Sequence, residues 1–147
     1  MTTVVSLAPT DTHALRRRVL RDDDPEAAVH WDGDDDPTTL HLGVVVEGGP
    51  IAVSTWLLRS SPGRPDAPAR QLRGMATEPG ARGRGLGSML LRAGAKQAEN
   101  EGATRLWANA RIEAVGFYEH HGWRARGPVF STPDTGLPHR LVTFELF

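Results

Sequence analysis

Apolar and polar positions alternate most cleanly over Thr39–Val46, where Leu40, Leu42, Val44 and Val46 share one face, and again over Ile51–Leu58, where Ile51, Val53, Thr55 and Leu57 do. Glu47-Gly48-Gly49-Pro50 stands between the two runs, so together they predict an antiparallel hairpin. Val4–Leu7 reads as a short strand closed by Pro9, and Asp11 or Thr12 caps a helix through Arg21. On that helix Leu15 and Val19 lie four apart on one face, and Arg16, Arg17 and Arg18 read as its solvated side or as contacts for an anionic substrate group. Further strands are expected over Arg70–Thr77, Thr104–Asn109, Trp123–Ser131 and Leu141–Phe147. Gly74, inside the first of these, signals a bulge or a close backbone approach. Two helices complete the pattern. One follows Gly87, lines a face with Leu86, Leu90, Ala93 and Gln97, and stops at Gly102; the other, shorter, runs from Ile112 to His121 and stops at Gly122. The sum is a single α+β domain over residues 1–147, a mixed sheet with helices packed on it.

Composition narrows the function by exclusion. The 17 basic and 18 acidic residues nearly cancel, which points to neither nucleic acid nor membrane as partner. Without cysteine there is no disulfide, thiolate metal site or cysteine nucleophile. The N-terminus lacks the basic region and long apolar run of a signal peptide, and no run is long enough to span a bilayer, so a cytoplasmic protein is expected. The acidic, turn-rich stretch from Arg21 to Pro37 has neither the glycine nor the glutamate spacing of an EF-hand, and reads as a mobile surface loop. His120 and His121 occupy successive helix positions and cannot share a face, so no metal site is expected there.

The chemistry concentrates in Arg82-Gly83-Arg84-Gly85-Leu86-Gly87, which runs directly into the helix beginning Ser88-Met89-Leu90. A glycine loop exposes backbone N–H groups, and a helix start adds unpaired N–H groups and a positive dipole end, so this is an anion site. A P-loop would need lysine where Leu86 stands, and a dinucleotide fingerprint would need glycine at Ser88. Arg82–Gly87 instead resembles the R/Q-x-x-G-x-G/A acetyl-CoA motif of the GNAT (GCN5-related) N-acetyltransferase superfamily. Met75-Ala76-Thr77-Glu78-Pro79 is similar to the strand end that leads into that motif. Trp107-Ala108-Asn109-Ala110 and Ala114–Trp123 resemble the family's asparagine strand and aromatic helix, and the stretch around Gly136–His139 resembles a bacterial branch of it.

The resemblance implies a mostly antiparallel central sheet flanked by helices, with parallel strands four and five splayed to admit acetyl-CoA. It implies that Gly83, Arg84, Gly85, Leu86, Gly87 and Ser88 face the pyrophosphate, with Arg82 and Arg84 adding charge. Met75, Ala76 and Thr77 would meet the pantetheine through their backbone, and Asn109 would hydrogen-bond the cofactor. Tyr118, the only tyrosine, falls where the family places its general acid. Glu78 is the first candidate for general base, with His41, His139 or a water chain as alternatives. The expected reaction is direct attack of a primary amine, on a small molecule or a peptide, upon the thioester, without a covalent enzyme intermediate. A homodimer is common in such a family. The competing reading is a catalytically idle acyl-CoA-binding or sensing module; the acceptor itself is not legible.

Overall fold

A computed structural model of the chain describes residues 2–146. Its seven strands form one sheet: β1 (Val5–Ser6), β2 (Leu40–Val46), β3 (Gly49–Leu58), β4 (Ala69–Thr77), β5 (Arg105–Arg111), β6 (Arg124–Ser131) and β7 (Pro138–Glu145), in the spatial order β1-β2-β3-β4-β5-β7-β6. Every neighbouring pair is antiparallel except β4 with β5. The last strand begins at Pro138, ahead of the expected Leu141, and runs to Glu145; Phe147, expected at its end, lies outside the described residues.

The β2–β3 hairpin forms as the alternation predicts, but a bulge between Val44 and Val45 breaks its phase and leaves Val45 and Val46 exposed. Along β3 both faces are buried, because helices cover the sheet on both sides. Ala52 and Trp56 belong to the larger core, with Leu42, Val44, Leu72, Leu86, Leu90 and Leu106. Val53 belongs to a smaller one, with Leu15 and Ala76.

The larger core is organised by helix α2 (Leu86–Asn100). Its buried positions are Leu86, Leu90, Leu91, Gly94 and Ala98, so the inward face is rotated away from the expected Ala93–Gln97 line, and Gln97 is exposed. Gly94 is the reason. A Cβ there would lie 2.1 Å from the Trp56 ring, so the glycine lets the helix axis close onto the indole. Gly102, at φ +88°, ends the helix, with Ala103 N–H donating to Ala98 O at 2.9 Å.

The opposite face is covered by α1, which is α-helical over His13–Leu15 and continues as a wider π-type turn over Arg16–Leu20. The arginines after Leu15 do not form a solvated face. Arg16 is fully buried, Arg17 donates to the carbonyls of Asp24 and Ala27, and only Arg18 is largely exposed. Nor is the acidic stretch a mere surface loop. It folds back to bury Val29 and Asp34, and the Asp34 carboxylate accepts from Arg16 Nη1 at 2.5 Å and Nη2 at 3.1 Å. A buried guanidinium needs such a partner, and a π-type turn re-aims the side chain toward it.

Between β4 and β5 the ladder covers only Ala69–Gln71 against Arg105–Trp107, and beyond it the strands part. The paired end is held by two arginines, Arg70 donating to Glu101 and Arg105 to Glu145. The far end is prised open by a β4 bulge. Arg73 pairs with Thr55 and Ala76 with Val53, so Gly74 and Met75 oppose the single residue Ser54. Gly74 adopts φ +64° there, which glycine supports without strain. Both sequence-based readings of Gly74 hold, for a Cβ would also stand 2.8 Å from the Trp31 ring.

Candidate active site

The parting strands open a cavity of about 650 Å³. Its walls come from β4 (Gln71–Met75), β5 (Ala108–Arg111), the end of α1, the Trp31 loop and the β6–β7 connection. On the β5 side, β7 takes the backbone of Asn109 through Leu141, and the β4 backbone past Gln71 has no strand on its β5 side. Such a free edge can pair with an extended, amide-containing ligand as another strand would.

At the C-terminal end of β4 a turn over Pro79–Ala81 leads into the glycine loop. Gly83 and Gly85 adopt φ +82° and +74°, and Gly85 is the N-cap of α2 with no side-chain cap. The first helical backbone bond is Met89 N–H to Gly85 O, and the N–H groups of residues 83–88 donate to no other described backbone group. Nothing lies within 4 Å of where a Cβ on Gly83 or Gly85 would stand, and Arg82 and Arg84 are exposed beside them. The loop is thus an open cradle of donors at a helix start, which fits a pyrophosphate.

Tyr118 is carried by the short helix α3 (Val115–His120) and is 7% exposed, against Phe117 and Trp123 at ring distances of 5.4 and 5.1 Å. Its ring lines the cavity, and burial pushes the phenol well above its ordinary pKa. It therefore stays protonated and can donate.

The sequence-expected residues separate into three groups. Met75, Asn109 and Tyr118 line the cavity together. Ala76 and Thr77 continue β4 beyond it toward the glycine loop, which carries Arg82 to Ser88. Glu78 joins neither group, because its carboxylate pairs with Arg18 and it does not line the cavity. His41 is also spoken for: its Nδ1 accepts from Thr55 Oγ1 and its Nε2 donates to Asp34 O, within the buried Arg16 network. His139 is different. It is buried and lines the cavity, and its Nδ1 donates to Leu137 O at 2.8 Å, which leaves the Nε2 lone pair available.

Arg73 and Arg111, for which the sequence offered no signal, stand on the cavity wall with Arg21 and Trp31. Trp31 is packed beneath three guanidiniums, with Arg16, Arg21 and Arg73 at 3.9, 5.0 and 5.4 Å from its ring. The density of arginine after Leu15 was the available signal, but no local pattern separates the buried from the exposed ones.

A glycine cradle at a helix start, beside splayed parallel strands with an asparagine and a buried tyrosine, is an arrangement for acyl-CoA chemistry. Residues 8–123 match the Acetyltransferase (GNAT) family. The chain belongs to that family. This GNAT protein is an acyltransferase, and it is 32% identical over 145 residues to the N-acetyltransferase YitI of Bacillus subtilis strain 168, itself uncharacterized, covering 99% of this chain and 96% of that one. Among solved structures its fold is similar to Escherichia coli ElaA (TM-score 0.76, 15% identity, 97% of this chain and 99% of that one). It is also similar to an aminoglycoside 6'-N-acetyltransferase complexed with coenzyme A (TM-score 0.73, 11% identity, 98% and 97%). The sheet order and the single parallel pair of this GNAT chain are the fold that the family resemblance implied. No helix among its described residues is long and apolar enough to cross a membrane.

Proposed function

We propose that this protein is an acetyl-CoA-dependent N-acetyltransferase in which a primary amine attacks the thioester directly. The observation that carries the reading is the meeting, at one opening of the sheet, of the free β4 edge, the open glycine cradle and the protonated Tyr118. The N–H groups of residues 83–88 bind the pyrophosphate, with Arg82 and Arg84 adding charge. Charge-assisted hydrogen bonds of this kind outweigh the helix-end field, which contributes about 0.3–1 kcal/mol. The backbone of Met75, Ala76 and Thr77 holds the pantetheine arm, and a β4 N–H near Thr77 polarises the thioester oxygen. Asn109 hydrogen-bonds the cofactor from the opposite strand.

As the amine nitrogen bonds to the acyl carbon, the carbon–sulfur bond breaks and two protons must move. Tyr118 gives its phenolic proton to the departing sulfur. His139 Nε2, directly or through a water, takes the proton from the amine, since Glu78 is paired with Arg18 outside the cavity. Solvent then returns each group to its resting state.

The test is release of CoA thiol from acetyl-CoA across a panel of amines, with acetylated products identified by mass. Amine-dependent release with a matching product supports the reading. Tight CoA binding without turnover of any amine would instead make the protein an acyl-CoA-binding module.

A further inference from the structure

The interior end of the cavity holds more positive charge than the chain itself balances. Arg21, Arg73 and Arg111 line it, and Arg16 packs behind them against Trp31, with the buried carboxylate Asp34 beside Arg16 and Arg73. Asp34 is already committed, bidentate to Arg16 and accepting from Trp31 N–H at 2.7 Å, and stands 3.6 Å from Arg73. The carboxylates on the cavity wall itself, Asp32 and Asp134, stand at its solvent rim, with side chains 101% and 66% exposed.

Arg21 and Arg111 are the pair left over. They come from unconnected elements, the end of α1 and the end of β5, and both donate to one acceptor, Leu20 O, each at 3.0 Å. The two donating nitrogens are therefore no more than twice that distance apart. Arg21 has only the exposed Asp134, at 3.4 Å, as counter-charge, and Arg111 has no carboxylate within ion-pair distance among the described residues. Burial disfavours the Arg21 cation, Asp134 opposes this, and Arg111 and Arg16 add to it. Arg73 likewise has a buried Nε with no hydrogen-bond partner. Two like charges drawn together on a cavity wall, on the same opening as Tyr118 and His139, are stabilised by an anion placed between them.

We propose that the acceptor is a small amine that also carries an anionic group, a carboxylate or a phosphate, which seats on the Arg21–Arg111 guanidinium pair and thereby aims the amine at the thioester. This rests on the acetyltransferase reading above and names its substrate class. A planar fork of donors matches either oxyanion, whereas a polyamine would bring further positive charge against the arginines of the cavity wall, Arg21, Arg73 and Arg111.

The experiment uses acceptors in matched pairs: α-amino acids against their α-amides, phosphoethanolamine against ethanolamine, and spermidine as the polycation. For the best pair, kcat/KM for the anionic member should exceed that for its neutral partner by about tenfold or more. Arg21→Gln and Arg111→Gln should each shrink that ratio toward one, and Arg21→Lys should restore part of it. Calorimetric CoA affinity like that of the wild type shows that each variant is folded. The amino-acid and phosphoethanolamine arms tell carboxylate from phosphate. Spermidine or a neutral amine as the best acceptor, or a ratio indifferent to Arg21, overturns the proposal and leaves the acetyltransferase reading standing. If no amine is turned over, the acetyltransferase reading fails, and the same pairs are titrated calorimetrically into CoA-saturated protein. Binding of anionic members that disappears in Arg21→Gln then upholds the anion seat, and its absence overturns it.

Discussion

Asp34→Asn is the sharpest test of how the acceptor side of the cavity is built. The Asp34 carboxylate is 1% exposed and accepts from both Arg16 Nη atoms and from Trp31 N–H. The amide keeps one acceptor oxygen beside Val29 O and Thr55 Oγ1, but it puts an NH2 donor where the other oxygen stood and leaves the fully buried Arg16 with no counter-charge. Removing one partner of a buried pair costs about 3–5 kcal/mol, and for a chain of this size each kcal/mol lowers Tm by about 2–4 °C. The variant should therefore melt about 6–20 °C lower, with a matching loss in urea-derived stability. The pH dependence has a definite sign. Burial raises the Asp34 pKa, but the Arg16 and Trp31 hydrogen bonds and the Arg16 and Arg73 charges outweigh it, so the net shift is downward. A lowered carboxylate pKa contributes stability above the unfolded value of about 3.9 and loses it as pH falls through the folded value. The gap between wild type and variant should accordingly narrow in strong acid. A loss below about 1 kcal/mol at neutral pH would refute the reasoning, since that is the range of an exposed pair.

Other outcomes follow from single contacts. Tyr118→Phe should lower kcat by about 10²-fold or more with little change in acetyl-CoA affinity, and an unchanged rate would remove the phenol from the mechanism. Because burial raises the Tyr118 pKa, the wild-type rate should show no fall from phenol ionisation up to about pH 10. His139→Gln should lower kcat, whereas Glu78→Gln should leave kcat near wild type and cost at most about 1 kcal/mol of stability, its ion pair being half-exposed. The reverse ranking would return the base to Glu78. Gly94→Ala should destabilise by about 1–3 kcal/mol in urea unfolding, because its Cβ must displace the Trp56 ring.

What was legible in the sequence was what depends on local periodicity and on motif. The hairpin, the glycine loop before α2, the Gly74 bulge and the Gly102 stop each follow from the residues at that point. The motif also placed Met75, Asn109 and Tyr118 on what proves to be one cavity. The acceptor side was not legible, because it is assembled by tertiary contact. Arg16 and Arg18 are two apart in a run of three arginines, yet one is fully buried and the other half-exposed. The difference is that Asp34, from a loop that looks merely acidic, reaches back to the first. The α2 face was misread for a related reason. Gly94 carries no hydrophobic signal of its own, and only the bulk of Trp56 on β3 shows why that position turns inward. Charge pairing and volume complementarity between distant segments leave no period in the chain.

Under the proposed function the Arg82–Gly87 loop and the β4–β5 opening hold acetyl-CoA. A calorimetric titration of acetyl-CoA into wild type and Gly85→Val tests it most directly, because Gly85 combines φ +74° with open space where the cradle faces its ligand. One-to-one binding to the wild type and its loss in Gly85→Val are expected. Equal affinity in the two proteins, or no binding to the wild type, would contradict this assignment.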